Sequence, residues 1–414
     1  MVSKSNTLQE VNKVYKIQNP SQYFTDYKEI KKFCNNRKKF LLKLKLPHKI
    51  FKNSSLIDFG SGSGQNTIPY DLLGSNCTLI EYDKQSYKNS AELFKKFAKN
   101  KYKIINKDIF KFNKSKKKYD FVVSNGVAHH TKDPKKNIKI CCDALKKGGF
   151  FIFGIGATHG YFQRHIQRLI LYKICKNNDE IIKYSKILFK NHLARSVRFS
   201  GRTIEQVIYD TYINPKIETL SVEEVINEFN INNLILYSSS EPIKDLNSFI
   251  NPHNEQFKLV NNKTKKQNIS INKKILINSL HSFSLTKENN LKINELSFLH
   301  EIISLLTKIT NRANDCSYSK VNKNDSSNKM LNFLMNDLIN LKKKILKIKK
   351  IKIINTNYEK IFISEMIDIF KILNSKNKKI QKFNKIKNIL KKSKAIFHGK
   401  SGVGMNYFVG FKPE

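Results

Sequence analysis

The chain has 414 residues, with 77 lysines and arginines against 33 aspartates and glutamates, which gives a formal net charge of +44. This length allows one large domain with insertions or two domains. Only seven of the basic residues are arginines, and the abundance of Lys, Asn and Ile is typical of an A+T-rich coding sequence. Arginine side chains recognise phosphates and bases better than lysine side chains do. The small number of arginines therefore argues against a dedicated nucleic-acid surface. Non-specific phosphate binding by the lysines stays open as the alternative.

The six cysteines contain no C-x-x-C pair, which predicts reduced thiols and a cytoplasmic location. The histidines lack the i, i+4 spacing and the carboxylate partners of a metal site, so no metal is expected. Residues 1–10 are polar and carry no apolar signal core, and no run approaches 18 apolar residues. We therefore expect no membrane-spanning helix.

A glycine loop follows the first apolar segment of the chain. Residues 56–64 read Leu-Ile-Asp-Phe-Gly-Ser-Gly-Ser-Gly, which predicts a buried strand that ends in a loop of bare backbone amides. Gln65 stands where a dinucleotide motif requires its third glycine, and the loop lacks the Lys-Ser/Thr end of a triphosphate-binding loop. The alternatives are a different nucleotide-like ligand or an ordinary tight turn.

Acidic residues also follow the next two apolar segments. Glu81 comes directly after Cys77–Ile80, about 20 residues beyond the glycines, where an acid binds a ribose diol in related sheets; Asp83 is the alternative. The stretch Ile104–Ile109 gives a third short strand, and Asp108 is the acid that follows it. Each acid alone could be a solvated strand end, but the series favours a nucleotide pocket.

These motifs, with the stretch from Tyr119 to Pro134, resemble class I S-adenosylmethionine (SAM) methyltransferases of the small-molecule branch. The resemblance implies that SAM is the cofactor. It implies that Glu81 binds the ribose, Tyr82 packs on the adenine, Asp108 contacts the adenine amino group and Ile109 flanks the ring. The full set of cofactor-binding residues that it implies is Asp58, Gly60, Ser61, Gly62, Gly64, Glu81, Tyr82, Asp108, Ile109, Ser124 and Asn125.

His129 and His130 follow the fourth strand and are the candidates for a catalytic base, because the ordinary pKa of histidine suits that role. The alternative is that one histidine packs in the loop and the other faces solvent. The segment 124–127 has neither the Pro-Pro-aromatic motif of enzymes that methylate base amino groups nor the cysteine of cytosine-C5 enzymes. We therefore expect a small-molecule acceptor.

Strands alternate with helical patterns, which predicts an α/β fold with a doubly wound, Rossmann-like sheet. By resemblance the sheet has seven strands, the last one antiparallel. A helical cap and a helical insertion rich in Lys and Asn interrupt it. The predicted parts are an N-terminal segment and helix at 1–47, the SAM-binding core at 48–156, the cap at 157–220, a core helix and sixth strand at 221–242, the insertion at 243–395 and the final strand at 396–414.

Several elements are predicted by periodicity and punctuation. Residues 1–25 are expected to be loose. Helices are expected at 27–46, 134–147, 162–176, 293–310, 328–350, 359–374 and 380–393, with the sixth strand at 234–238.

Five of the seven arginines lie between residues 164 and 202. We interpret Tyr161, Arg164, Arg195 and Arg198 as candidates for binding an anionic substrate, since guanidinium groups form paired hydrogen bonds with carboxylates and phosphates. The alternative is ion pairing with nearby acids such as Glu205 and Asp210.

Three functions are consistent with these features. The first is a SAM-dependent methyltransferase of a small molecule. The second is an RNA or protein methyltransferase that docks its polymer on the basic insertion. The third is a non-catalytic protein that keeps the SAM-binding fold.

Overall fold

The computed structural model describes residues 6–19, 21, 26–112, 117–215, 217–240, 293–318, 326–347, 356–393, 395–397 and 404–414. These residues form two compact units. The first unit contains the described residues of 1–156, 222–267 and 405–414, and the second unit those of 157–221 and 268–404. The division into six parts that we expect from the sequence stays a prediction.

The first unit is built on a seven-stranded sheet. Its strands are β1 (Ser55–Phe59), β2 (Asn76–Glu81), β3 (Tyr102–Asn106), β4 (Tyr119–Asn125), β5 (Leu145–Gly156), β6 (Ile235–Ser239) and β7 (Met405–Phe411). Their order is β3-β2-β1-β4-β5-β7-β6, and β7 runs antiparallel to both of its neighbours while the other pairs are parallel. This order confirms the predicted α/β fold class and the antiparallel last strand. The order reverses between β1 and β4, where ligands bind in doubly wound sheets.

Helices cover the sheet of this unit. They are α1 (Asn6–Ile17), α2 (Tyr27–Lys43), α3 (Ile68–Asp71), α4 (Lys84–Phe97), α5 (Pro134–Ala144) and α10 (Val222–Ile231). Leu56 and Ile57 of β1 are fully buried, as expected for a central parallel strand covered on both faces. Phe51 packs on Phe121 of β4 at a ring-centroid distance of 4.5 Å, which fixes part of the core under α2.

Two sequence predictions are wrong in this unit. Residues 6–17 form α1 rather than a loose segment; their apolar residues recur at helical spacing and Val11 is buried. The predicted helix 134–147 ends at Ala144, and β5 begins at Leu145. The reason lies in the pairing partners: Gly148 donates to the carbonyl of Lys412, and Lys412 donates to the carbonyl of Gly149. These hydrogen bonds with Lys412 thus join residues 148–149 to the strand pairing between β5 and β7.

The second unit consists mainly of helices over its described residues. Its helices are α6 (Thr158–Ile174), α7 (Asn178–Leu188), α8 (Lys190–Ser200), α9 (Ile204–Ile208), α11 (Ile293–Tyr318), α12 (Ser326–Lys347), α13 (Thr356–Asn374) and α14 (Lys379–Lys392). The predicted helices at 293–310, 359–374 and 380–393 are confirmed with shifted ends, and residues 348–350 lie outside the described part. Phe162 packs on Phe362 and Tyr184 stacks on Phe383, so α6 and α7 share a core with α13 and α14.

Candidate active site

The glycine loop begins where β1 ends. The N–H groups of Gly60 and Ser61 both donate to the carbonyl of Ile80, at 2.8 and 3.2 Å, so the loop turns over the end of β2. Gly60 has φ +76°, and a Cβ atom there would lie 2.5 Å from a methyl group of Val127. Only glycine fits this position, since both its backbone conformation and its space exclude a side chain.

Glu81 joins the loop to the end of β2. One carboxylate oxygen accepts the N–H of Gly62 at 2.7 Å, and the other accepts the N–H of Asp83 at 2.8 Å. Burial raises the pKa of Glu81 to about 7, although both hydrogen bonds act in the opposite direction. A carboxylate oxygen has two lone pairs, so each oxygen can accept a further donor.

Asp58 stands behind the loop. It is only 2% exposed, and the hydroxyl of Thr67 donates to its carboxylate at 2.5 Å. Burial raises its pKa to about 6, against that hydrogen bond and the positive charge of Arg37. Arg37 of α2 also donates to the side chain of Asn66. The sequence reasoning did not single out Arg37, Asn66 and Thr67, because no motif links them to the glycines.

The ends of β2 and β3 hold the residues expected around an adenine ring. Tyr82 is 41% exposed at the end of β2, whereas Ile109 is buried. The Asp108 carboxylate accepts the N–H of Phe110 at 2.9 Å and so caps the short helical turn at 109–111. The Asn106 amide donates to the carbonyls of Glu81 and Tyr82, which ties the two strand ends together.

Ser124 and Asn125 end β4 with different surroundings. The Ser124 hydroxyl is fully buried and donates to Asn137 of α5 at 3.2 Å, so this side chain supports the helix behind the strand. Both polar atoms of the Asn125 amide are buried, and no described residue hydrogen-bonds to them. Its oxygen lies 3.1 Å from the place where a Cβ of Gly154 would be. Such an amide is a group that a ligand can satisfy.

His129 and His130 lie in a short helical turn at 128–130, directly beyond β4. Their ring centroids are 4.0 Å apart, and His129 is only 4% exposed. The ring of Tyr15, from α1, meets His130 edge-on at 6.3 Å. The two histidines thus lie just beyond the end of β4, and a catalytic role for either of them stays a prediction.

The N-terminal segment contacts the glycine loop. The Asn19 amide donates to the Ser86 hydroxyl at 2.8 Å and to Asp83 at 3.2 Å, both at the start of α4. The Ser21 hydroxyl lies 2.8 Å from the place where a Cβ of Gly62 would be. Described residues of this segment therefore cover part of the loop, an arrangement missed because residues 1–25 were expected to be loose.

The candidate substrate residues lie in the second unit, whereas the candidate cofactor residues lie in the first. Tyr161 and Arg164 are on α6, and the Arg164 guanidinium lies 5.0 Å from the centre of the Tyr161 ring. Arg195 and Arg198 are on α8, and both contact the exposed ring of Phe199.

Of the two acids named as alternative partners of the arginines, one pairs with an arginine and the other with a lysine. Asp210 pairs with Arg202 at 2.8 Å, which is the expected alternative for that arginine. Glu205 pairs with Lys186 at 2.6 Å.

No group of three or more His, Cys, Asp or Glu residues in the described part of the chain is placed to hold a metal ion. Among the helices that the structure describes, none is long and apolar enough to cross a membrane.

Residues 57–153 match the family model of a methyltransferase domain. This stretch contains most of β1, all of β2 to β4, the glycine loop and most of β5, so the match covers the proposed cofactor residues. This similarity to a methyltransferase domain covers less than half of the chain. A comparison with curated proteins gives no match.

Solved structures similar to the chain share little sequence with it. A protein from Bacillus halodurans C-125 is 11% identical, with 45% of this chain and 65% of that chain covered and a TM-score of 0.30. PKMT2 from Rickettsia typhi, in complex with AdoHcy, is 16% identical, with 48% and 42% covered and a TM-score of 0.37. Magnesium protoporphyrin IX methyltransferase from Synechocystis PCC 6803, with bound SAH, is 11% identical, with 58% and 90% covered and a TM-score of 0.32. The chain thus spans less than two thirds of the first two of these structures.

Proposed function

We propose that the protein transfers a methyl group from SAM to a small molecule. The observation that carries the proposal is the geometry at the end of β1 and β2, where the glycine loop folds onto the Glu81 carboxylate. This strand end borders the reversal of strand order between β1 and β4. The matched methyltransferase domain spans the same residues.

The residues present fit SAM. Gly60, Gly62 and Gly64 all have positive φ, the backbone conformation that favours glycine, so the loop can turn tightly at the end of β1. Glu81 has acceptor capacity left for ribose hydroxyls, and the exposed ring of Tyr82 is available to an adenine. The unsatisfied amide of Asn125 lies at the end of β4, where it could bind the amino-acid part of the donor.

The chemistry that SAM supplies is a methyl group already activated by a sulfonium. The protein's part is alignment of donor and acceptor, which can lower the barrier by several kcal/mol. Ser61 and the loop glycines would hold one side of the pocket, and Asp58 would fix the loop through Thr67. For a hydroxyl or amine acceptor, His129 or His130 would receive the proton.

The small-molecule acceptor is proposed from the residues after β4. Asn125, Gly126 and Val127 lack the proline-aromatic motif expected for base amino groups, and no cysteine stands there. The acceptor atom is left open. A cytoplasmic location is part of the proposal, supported by six cysteines that are all buried and form no disulfide among the described residues.

Calorimetric titration with SAM tests the proposal. We expect saturable binding, and its absence up to about 1 mM, the upper end of common KM values, would overturn it. Glu81→Ala should weaken binding by roughly 1.5–3 kcal/mol, the range for hydrogen bonds to a charged group. Glu29→Ala is the matched control, because it removes an exposed carboxylate from α2 of the same unit.

A polymer acceptor is tested separately by RNA binding. Binding that depends on the lysines should weaken steeply between low salt and about 150 mM salt. SAM-dependent methylation of RNA or protein at that salt concentration would contradict the small-molecule assignment.

A further inference from the structure

Helix α6 of the second unit carries an unusual number of buried polar side chains. Six of them are at most 2% exposed: Thr158, His159, Gln163, His165, Gln167 and Arg168. Burial of polar groups costs free energy unless they find hydrogen-bond partners. A helix of this kind is either part of a polar network or the wall of a binding site.

Part of this helix belongs to a network within the unit. His159 contacts the hydroxyl of Thr307 in α11 at 2.8 Å. Gln167 joins the His192 ring at 2.6 Å and accepts the Tyr212 hydroxyl at 2.8 Å. These contacts explain two of the six buried polar residues and fix one side of α6.

A different face of α6 carries His165 beside an aromatic ring and a guanidinium. The His165 ring centroid lies 5.5 Å from that of Tyr161, and the Arg164 guanidinium lies 5.0 Å from the Tyr161 ring. His165 is 1% exposed, and its Nε2 atom has no hydrogen-bond partner among the residues that the structure describes. Burial, with the charges of Arg168 and Arg164, lowers the pKa of His165 to about 3. The imidazole is therefore neutral near pH 7, and in the tautomer that carries its proton on Nε2 it can donate one hydrogen bond to an anionic ligand.

Positive charge accumulates at the same place. Burial, together with the charges of Arg164 and Arg198, lowers the pKa of Arg195, so each of these two guanidinium groups repels that of Arg195. Asp210 is already paired with Arg202. A negative ligand would relieve this repulsion and would form short, charge-assisted hydrogen bonds.

The absence of a side chain at Gly404 leaves room for the Arg164 guanidinium. A Cβ atom at Gly404 would lie 2.7 Å from one terminal nitrogen of the guanidinium and 2.9 Å from its central carbon. Any larger residue would push the group away, so the position of the charge depends on this glycine.

We propose that Tyr161, Arg164, His165 and Arg195 bind the carboxylate or phosphate group of a small molecule. The ligand is a small molecule because Tyr161 and His165 are only 6% and 1% exposed, which keeps them from a polymer backbone. The site lies within the second unit and goes beyond the proposed methyl transfer.

The test is calorimetric titration of the full chain, without SAM, by inorganic phosphate and by succinate at fixed ionic strength. We expect one of the two probes to bind with a stoichiometry near one. The identity of that probe shows whether the site binds a phosphate or a carboxylate group. The double change Arg164→Gln with Arg195→Gln should weaken binding about tenfold or more, as expected for lost charge-assisted hydrogen bonds. Lys371→Gln removes one exposed positive charge from the same unit and should leave binding unchanged.

Three outcomes would overturn the proposal. They are no saturable binding of either probe, equal weakening in the Lys371 control, and unchanged binding in the arginine double variant. If the double variant unfolds, the single change Arg195→Gln decides instead, because Arg195 is only half-buried. SAM affinity, measured separately, tells failure of this site from failure of the proposed methyl transfer.

Discussion

The backbone N–H of Gly62 donates to the carboxylate of Glu81 at 2.7 Å, across 19 residues of sequence. The residue expected to bind the ribose thus also holds the loop expected to surround the rest of the donor. A change at Glu81 should consequently affect both the ligand contacts and the shape of the loop. Variants that alter only one of the two are needed to separate these effects.

Gly60 and Gly148 form a matched pair for testing the loop. Their φ angles are +76° and +73°, but a Cβ at Gly60 would strike Val127, whereas nothing lies within 4 Å of a Cβ at Gly148. Gly148→Ala should cost about 1–2 kcal/mol for the left-handed backbone alone. Gly60→Ala should cost about 1–3 kcal/mol more from overpacking and should abolish SAM binding. Urea unfolding and SAM titration measure both; equal losses of stability would show that the Val127 contact is unimportant.

Asn125 offers a variant in which stability and binding should change in opposite directions. Asn125→Leu keeps a similar shape and removes two buried polar atoms that have no partner in the described structure. The free energy of unfolding should rise by roughly 1–3 kcal/mol, the cost of an unsatisfied buried group, while SAM affinity or turnover falls. A variant that is less stable than the wild type would show that the amide has a structural partner.

The sheet and its polarity could be predicted because they depend on local patterns. Apolar segments that end in Gly60, Glu81 and Asp108 mark strand ends, and strand ends of one polarity meet at one edge of a parallel sheet. The antiparallel β7 was predicted by resemblance alone, since nothing local in residues 405–411 specifies its partners.

The misses concern contacts between segments distant in the chain. The end of α5 was misplaced because the pairing partner of residues 148–149 is Lys412. α1 was overlooked among polar residues, and its contact with His130 could not be seen without the fold. The arginines between 164 and 202 were noticed, but only the structure shows that Arg202 pairs with Asp210 while Arg164 lies against Tyr161.

The N-terminal segment gives a prediction about dynamics. Asn19→Ala removes the two hydrogen bonds to Asp83 and Ser86, so amide hydrogens of residues 6–19 should exchange faster in the variant. Exchange in β1 should not change, since that strand is held by the sheet. Asn89→Ala is the control, because it removes an exposed contact with Gln85 on the same helix α4. Equal exchange of residues 6–19 in the wild type and Asn19→Ala would mean that other contacts hold the segment.

Asp58 should make the stability of the protein depend on pH. Its pKa is raised from 3.8 to about 6 in the folded protein, so the folded state binds the proton more tightly than the unfolded state does. Below the unfolded pKa of 3.8 the carboxyl group is protonated in both states and does not change the free energy of unfolding. Above it the unfolded state loses the proton first, so the free energy of unfolding falls as the pH rises to about 6. Asp58→Asn keeps an acceptor for Thr67 and has no proton to lose. Relative to this variant, the wild type should lose about 2–3 kcal/mol of unfolding free energy between pH 4 and pH 7, at about 1.4 kcal/mol for each pKa unit. Urea unfolding across this range, without SAM, measures the difference.

Asp368→Asn, which neutralises an exposed acid of α13, is the control, and its free energy of unfolding should follow the same pH dependence as that of the wild type. Parallel curves for Asp58→Asn and the wild type would show that Asp58 titrates normally and is not buried as the structure describes.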